Sequence, residues 1–139
     1  MNNLNIKIYN FGLSNSNCDS EIWYTDKDKM GGSAIFDKND PELKKYDPKS
    51  IIKEKISLKK LDDVLKINNS KILIKIDVER HEKKVLEGME KIIQQNNIIM
   101  QIEISEENKK KVFNYLKKLK FKWINSIRHD HFFEKIIQE

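Results

Sequence analysis

Apolar and polar residues alternate with a period of two in several short stretches of the chain. "LNIKIYNFGL" places Leu4, Ile6 and Ile8 on one side of an extended backbone, and "EIWYT" is a shorter stretch of the same kind. "KILIKI", "NIIMQIEI", "FKWINSI" and "HFFEKII" are richer in branched and aromatic residues. Each of these stretches predicts a strand, and the short "RHD" predicts that the last two form a hairpin.

Helical spacing of apolar residues appears between these strands. Ser57 can cap a helix that reaches about Lys66, a second helix is predicted from about His81 to Gln95, and Ser105 can cap a third. The residues predicted to face the core from these helices are Leu58, Leu61, Val64, Leu65, Val85, Leu86, Met89, Ile92, Ile93, Val112, Phe113, Leu116 and Leu119. Residues 25–50 are polar and rich in turn formers, and "GGSAIF" within them predicts at most a short strand.

Strands separated by helices of this length favour right-handed parallel crossovers. We therefore predict an α/β fold with a mostly parallel sheet, a C-terminal antiparallel hairpin and helices on both faces. The chain contains neither an internal repeat nor a low-complexity linker, so residues 1–139 are interpreted as a single domain.

Composition is typical of a folded protein of the cytoplasm. Hydrophobic residues form 38% of the 139 residues and charged residues 35%, and no apolar run approaches the ~20 residues of a membrane span. The N-terminal "MNNLNIKIYN" lacks the features of an export signal. The single Cys18 cannot form an internal disulfide or a cysteine-based zinc site, which agrees with a reducing compartment.

The net charge of +5 comes mainly from lysine, and many lysines lie between residues 109 and 120. A solvated helix face explains this cluster better than a nucleic-acid site, which would require arginine forks and interleaved aromatic residues. We therefore expect neither a nucleic acid nor a membrane as a partner.

Charged residues follow the "KILIKI" strand directly. Asp77 and Glu79 project to the same side if the backbone stays extended, His81 and Glu82 come next, and Glu103 ends the following strand. Ligands of open parallel sheets bind beyond the carboxyl ends of the strands. The residues therefore predict a site at this edge of the sheet.

The residue types of this predicted site are compatible with more than one chemistry. Two carboxylates can bind a divalent cation, accept hydrogen bonds from a sugar or an amine, or act as a base. Glu82 could instead serve the helix N-terminus electrostatically, and His81 could be an ordinary surface or capping residue.

The segment "LIKIDVERHEKKVLEGMEKII", residues 73–93, resembles the signature of FkbM-type methyltransferases, in which an apolar strand leads into I-K-I-D-V-E-G-x-E and then a helix with V-L-x-G. "SLKKLDDVL" is similar to the T-L-D-D-L segment of that family, and "NFGLSNSN" is similar to the segment that ends its third strand. The matching positions are Lys75, Asp77, Val78, Glu79, Glu82, Val85, Leu86 and Gly88.

The resemblance implies a partial Rossmann-like methyltransferase sheet, S-adenosylmethionine as the cofactor, and O-methylation of a sugar or another small hydroxylated metabolite. It implies that Asp77, Glu79 and His81 act in catalysis, with His81 as a candidate base. Lys75, Glu82 and Glu103 would bind the acceptor substrate. Ser14 and Asn15 would contact the cofactor, and whether a metal takes part stays open.

The sequence departs from the family pattern in two ways. Arg80 stands where the family usually has glycine. The first two strands of the family order 3-2-1-4-5-7-6, with the Gly-rich turn and the acidic residue that holds the ribose, have no counterpart here. We therefore expect an open side on the "KILIKI" strand, closed by "LNIKIYN", by a second chain that supplies the strands, or by a homo-oligomer. We also expect weak cofactor binding by this chain alone, with a non-catalytic remnant or assembly module as the alternative function.

Overall fold

The computed structural model of the chain describes residues 5–24, 33–35 and 47–137. These residues form two small sheets and four short to medium helices. The elements are β1 (Gly12–Leu13), β2 (Cys18–Tyr24), a 3₁₀ turn (Pro48–Ser50), β3 (Ile52–Lys59), α1 (Leu61–Val64), β4 (Lys71–Ile76), α2 (Glu82–Glu87), α3 (Glu90–Gln95), β5 (Asn97–Glu103), α4 (Glu106–Lys118), β6 (Lys122–Ile127) and β7 (Asp130–Lys135).

Both sheets are mixed. The first has the order β1-β3-β2 and the second has the order β4-β5-β7-β6. Only β1–β3 and β4–β5 pair in parallel, whereas β2–β3, β5–β7 and β6–β7 are antiparallel. The α/β prediction is confirmed, as is the C-terminal hairpin. The prediction of a mostly parallel sheet is not confirmed. The C-terminal hairpin places β7 between β5 and β6, antiparallel to both, and β3 pairs with β2 in antiparallel orientation.

Helices cover one face of the second sheet in the described part of the chain. On that face Ile98, Met100 and Ile102 of β5 are buried with the helix residues of the core. On the opposite face Leu73 is 81% exposed and Ile99 is 51% exposed. The described residues therefore do not place helices on both faces, as was predicted. Both faces of β4 and β5 are nevertheless apolar, because successive side chains of a strand point to opposite faces.

Two helix predictions need correction. Ser57 and Leu58 belong to β3, where Ser57 lies opposite Asp19, so only the short α1 remains of the helix predicted from Ser57 to Lys66. Leu58 fits a period of two with Ile56 as well as a helical stripe, and pairing with β2 selects the strand. The predicted helix from His81 to Gln95 is interrupted between α2 and α3, where Gly88 packs against the backbone of Ser14.

Among the described residues of the predicted N-terminal strand, only the last two, Gly12–Leu13, form a strand, which is β1. Residues 5–11 contain no strand, Ile8 is 89% exposed, and Leu4 lies outside the described residues. Among the described residues β4 pairs with β5 alone, so residues 5–10 of "LNIKIYN" do not close its open side. The first four residues of "EIWYT" are confirmed as part of β2, and Thr25 lies outside the described residues. Of "GGSAIF", Ala34 bridges Trp23, and its first two residues and its last lie outside the described residues.

His131 is the most deeply buried titratable side chain of the second sheet. It is fully buried on β7, where its Nδ1 lies 2.5 Å from Ser126 Oγ and its ring meets Phe113 edge to face. Its Nε2 has no hydrogen-bond partner among the described residues. Burial lowers the pKa of His131 from its usual value, because the charged ring is poorly solvated there.

This burial predicts a loss of stability on the acid side. Because the folded-state pKa is the lower one, the unfolded chain binds a proton first as the pH falls below ~6.5. The free energy of unfolding, measured in urea, is expected to fall between about pH 7 and about pH 5, and the fall should be smaller in His131→Phe. Equal losses in the two proteins would contradict a role for His131.

No helix in the described part of the chain combines the length and the apolar character that a membrane crossing requires.

Candidate active site

Asp77, Val78 and Glu79 follow β4 and separate two cavities. A cavity of about 200 Å³ is lined on the β5 side by these residues with Glu82, Glu103, Ser105 and His129. A cavity of about 390 Å³ lies on the other side and is lined by residues of the first sheet and by Ala34 and His81. The structure therefore places the predicted carboxylates on the walls of crevices at the carboxyl end of β4, as the strand pattern predicts.

The smaller cavity is strongly acidic. Asp77, Glu79, Glu82 and Glu103 all line it, as expected from the ends of two neighbouring strands. Burial raises the pKa of Glu79, and the nearby Glu103 and Asp77 raise it further. A carboxyl group with a raised pKa holds its proton at higher pH and is a better base once it is ionised.

Glu82 is almost fully buried at the start of α2. Its Oε1 accepts a hydrogen bond of 3.0 Å from the Arg80 backbone N–H. Burial raises the pKa of Glu82 in spite of this bond, which by itself favours the charged form. Glu82 therefore interacts locally at the start of α2, as its alternative interpretation predicts, and its side chain also lines the acidic cavity.

His81 lies on the wall of the larger cavity and is 7% exposed. Its Nε2 is 3.0 Å from Oγ of Ser14, which is itself buried. Since Ser14 follows β1 and His81 precedes α2, this contact fastens the first sheet to the helix that begins at the site. His81 is therefore neither a surface residue nor a side-chain cap, since it makes no side-chain cap bond.

Ser14 and Asn15 form a polar link between β1 and α2. Asn15 Nδ2 donates a 2.8 Å hydrogen bond to Glu87 Oε2, and Glu87 also pairs with Lys83. Both predicted cofactor contacts therefore have partners within the protein. Their predicted role toward a cofactor stays a prediction.

Lys75 and Asp77 form an ion pair with a separation of 2.9 Å between Nζ and Oδ2. Both side chains are at least half exposed, so the pair contributes little to stability. The hydrogen bond to Asp77 raises the pKa of Lys75. The Lys75 ammonium group therefore lies beside Asp77, which lines the acidic cavity, and both groups are accessible to a polar ligand.

Arg80 adopts a left-handed backbone conformation, with φ of 62°. This conformation favours glycine, and it explains physically why a glycine suits the position between Glu79 and His81. The left-handed turn carries the chain from the end of β4 into α2, and so it positions both Glu79 and His81.

Replacing Arg80 with glycine is expected to stabilise the fold by about 1 kcal/mol, because the left-handed strain disappears. Chemical denaturation would measure the change. Arg80→Ala is the matched control, because it removes the same side chain and keeps the strain. A stabilisation of equal size in the two variants would show that the side chain, not the backbone, is responsible.

Among the described residues, no group of three or more His, Cys, Asp or Glu side chains is arranged to hold a metal ion.

The described residues do not form a complete cradle for S-adenosylmethionine. A Gly-rich turn accepts a cofactor because its backbone is uncovered. Gly88 is covered, since a Cβ there would lie 1.9 Å from Ser14 O, whereas Gly12 lines the larger cavity and lies against the Leu58 side chain. Gly31 and Gly32 lie outside the described residues.

The sequence interpretation missed the first-sheet side of the larger cavity. This side is lined by residues that lie 21 to 67 positions before the segment Asp77–Glu79, among them Gly12, Ile22, Ala34 and Ile56. One of them, Ala34, belongs to the stretch that was predicted to be a loop. Ala34 reaches the site through parallel bridge pairing with Glu79. The only feature of the sequence that indicated this wall was the short apolar stretch "GGSAIF", and its pattern does not predict which strand it pairs with.

Comparison with known proteins identifies the family of the chain. The family model for the methyltransferase FkbM domain matches residues 1–135. Searches of curated proteins and of solved structures gave no match. The resemblance seen in residues 73–93 is thereby confirmed over nearly the whole chain, and the chain belongs to the FkbM methyltransferase domain family.

Proposed function

We propose that this chain forms the acceptor-binding side of an S-adenosylmethionine-dependent methyltransferase that methylates a hydroxyl group of a sugar or another small metabolite. Membership of a methyltransferase family supports transfer of a methyl group. The observation that carries the proposal is the position of Glu79 and His81 on one cavity wall. The wall combines groups that bind hydroxyls with an apolar lining.

The cavity of about 390 Å³ is large enough for a small metabolite. Its apolar residues Leu13, Ile22 and Ile56 suit the carbon skeleton, and Asp77 and Glu79 suit hydroxyl groups. Carboxylates accept hydrogen bonds from several hydroxyls at once, which is how a protein selects a polyhydroxylated ligand.

The reacting hydroxyl needs only to be positioned and to lose its proton. The raised pKa of Glu79 makes its carboxylate a stronger base than an ordinary one, which favours it as the group that takes the proton. His81 is the second candidate, and its contact with Ser14 fixes the orientation of the ring. Positioning of the oxygen supplies most of the acceleration in such a transfer.

We further propose that the chain alone binds S-adenosylmethionine weakly and turns over little or no substrate. The close packing of Gly88 against the Ser14 backbone supports this, because this glycine offers no open backbone to a cofactor. Titration calorimetry of the purified chain with S-adenosylmethionine is expected to show little heat. Micromolar binding would contradict this part of the proposal.

Acceptor binding is tested separately by saturation-transfer NMR with a panel of monosaccharides and small polyols. Binding is expected in the wild-type chain and about tenfold weaker in Glu79→Gln, which removes a charged hydrogen-bond acceptor. Glu134→Gln is the matched control, because Glu134 lies on β7 and lines neither cavity at the end of β4. Equal effects of the two substitutions would overturn the assignment of the acceptor site.

A non-catalytic remnant or assembly module is the second candidate function. Arg80 favours it, since a residue with a side chain stands at a left-handed turn where the family usually has glycine. This candidate predicts a folded chain that binds none of the tested sugars and is indifferent to the cofactor.

A further inference from the structure

Five polar residues form a network of hydrogen bonds that joins His81, at the start of α2, to the last residue of that helix. His81 Nε2 lies 3.0 Å from Ser14 Oγ, and Ser14 Oγ lies 3.4 Å from Asn15 Oδ1. Asn15 Nδ2 lies 2.8 Å from Glu87 Oε2, and Lys83 pairs with Oε1 of the same carboxylate. We refer to these contacts as the His81–Glu87 network.

The Glu87 carboxylate fixes the orientation of the Asn15 side chain. Burial raises the pKa of Glu87, but the hydrogen bonds from Lys83 and Asn15 outweigh this effect and hold the pKa below its usual value. Glu87 is therefore ionised near neutral pH, and an ionised carboxylate only accepts hydrogen bonds. Asn15 must then turn its Nδ2 donor toward Glu87, which leaves its Oδ1 acceptor facing Ser14.

The orientation of Asn15 in turn directs the hydroxyl proton of Ser14. The contact between Ser14 Oγ and Asn15 Oδ1 is a long hydrogen bond, and it is attractive only with the Ser14 proton between the two oxygens, because the amide oxygen has no proton of its own. Ser14 has one hydroxyl proton, so its Oγ is left as an acceptor toward His81 Nε2. A hydrogen bond of 3.0 Å to this acceptor requires a proton on Nε2.

We propose that Glu87 is a positioning residue, which acts through Asn15 and Ser14 to keep a proton on Nε2 of His81. In the neutral form of the ring the lone pair then lies on Nδ1. The inference depends on the groups at Nε2 and makes no assumption about the partner of Nδ1. Glu87 lines neither cavity at the end of β4, so its effect on the site is indirect.

The ion pair between Lys83 and Glu87 would by itself stabilise α2, since the two residues lie one helical turn apart. That role uses one carboxylate oxygen, whereas the other oxygen accepts a hydrogen bond from Asn15, 72 positions earlier in the chain. The adjacent Gly88 packs so closely against the Ser14 backbone that a Cβ there would lie 1.9 Å from Ser14 O. This packing keeps the segment of Ser14 and Asn15 within reach of Glu87, which a role confined to α2 would not require.

Under the proposed function, the tautomer of His81 decides which ring nitrogen can act as the base. His81 lines the cavity of about 390 Å³ in which the acceptor is proposed to bind. If His81 takes the proton of the acceptor hydroxyl, the proton must go to Nδ1, because Nε2 already carries one. This step alone rests on the proposed function, whereas the tautomer itself does not.

Glu87→Gln is expected to reverse the direction of the network. Lys83 can only donate, so the amide oxygen of the new side chain should stay with it, and the amide NH2 should face Asn15. Asn15 would then turn its oxygen toward position 87 and its NH2 toward Ser14, and the Ser14 hydroxyl would donate to His81 Nε2. The ratio of the Nε2–H form to the Nδ1–H form should fall about tenfold or more.

The double variant Asn15→Asp/Glu87→Gln should restore the original tautomer. It exchanges the amide and the carboxylate between the two positions and leaves the net charge unchanged. A carboxylate at position 15 can accept hydrogen bonds from both the amide at position 87 and the Ser14 hydroxyl, so Nε2 of His81 is again left to donate. Glu107→Gln, on the exposed first turn of α4, makes the same change in net charge as Glu87→Gln and should leave the tautomer unchanged.

Long-range ¹H–¹⁵N correlation NMR measures the tautomer, because protonated and unprotonated ring nitrogens have well-separated chemical shifts. The spectra are recorded on the purified chain at a pH at which the ring is neutral. The chain has three histidines, and His81→Phe identifies the His81 signals by their loss. His131 lies on β7, where its Nδ1 contacts Ser126, so its signals are an internal control that should not respond to any of these substitutions.

An Nδ1–H tautomer in the wild-type chain would overturn the proposal, and this measurement needs no variant. A Glu87→Gln chain that keeps the Nε2–H form, or a double variant that does not return to it, would also overturn it. A role of Glu87 limited to stabilising α2 predicts the same tautomer in all the variants, whatever their stabilities. These measurements use neither acceptor nor cofactor, so their failure is distinguishable from failure of the proposed function. Circular dichroism of each variant confirms that it is folded.

Discussion

Gly88→Ala is expected to destabilise the chain by about 3 kcal/mol, at the upper end for overpacking a core. A Cβ at this position would lie 1.9 Å from the Ser14 carbonyl oxygen and 2.8 Å from its carbon. Backbone atoms cannot rotate away as a side chain can. The segment that carries Ser14 must therefore move, and the contact between Ser14 and His81 must change with it.

Denaturation in urea would measure the loss in stability, and NMR of the His81 ring would report the change at the site. Gly12→Ala is the matched control. A Cβ at Gly12 would lie 2.8 Å from the end of the Leu58 side chain, which can move, so a loss of about 1 kcal/mol is expected. Equal losses at the two glycines would show that backbone crowding at Gly88 is not the cause.

Asp62→Ala is expected to cost about 2 to 3 kcal/mol. The Asp62 carboxylate is buried, and its two oxygens accept hydrogen bonds of 3.0 Å each from the backbone N–H groups of Lys91 and Ile92 in the first turn of α3. Removing the carboxylate leaves both donors without their partner. It also removes a negative charge from the helix N-terminus, where such a charge is favourable.

Thermal unfolding and urea denaturation would both measure this loss. Asp63→Ala is the control, because Asp63 is exposed and its hydrogen bond with Asn17 lies at the surface, so it should cost about 0.5 kcal/mol. Asp62→Asn should fall between the two, since it keeps one oxygen acceptor. If Asp62→Ala and Asp63→Ala cost the same, the capping role assigned to Asp62 would be wrong.

The two acidic residues of "LKKLDDVL" show how far sequence interpretation reached. The resemblance marked the segment as characteristic of the family, but residue types alone do not separate a structural carboxylate from a catalytic one. Asp62 acts 29 and 30 positions along the chain, on the first turn of α3. Only the packing of α1 against α3 brings these groups together.

The site at the end of β4 was more accessible to prediction. Asp77 and Glu79 follow an apolar strand, and the parallel pairing of β4 with β5 places Glu103 at the same end of the sheet. Both facts follow from local patterns and from general rules of α/β folds. The larger cavity was not predictable in this way, because its second wall comes from β1, β2 and β3, which form another sheet, and from Ala34, which bridges Trp23.

By itself the sequence determined the strands β4 to β7, the helix α4, the carboxylates that follow β4 and the family, because these depend on periodicity and on contiguous motifs. The tertiary structure alone decided that Ser57 and Leu58 belong to a strand, that Gly88 interrupts a helix, and that His81 is buried against Ser14. Each of these depends on a contact between residues far apart in the chain. Such contacts supply more free energy than local propensity does, and they leave no period in the sequence.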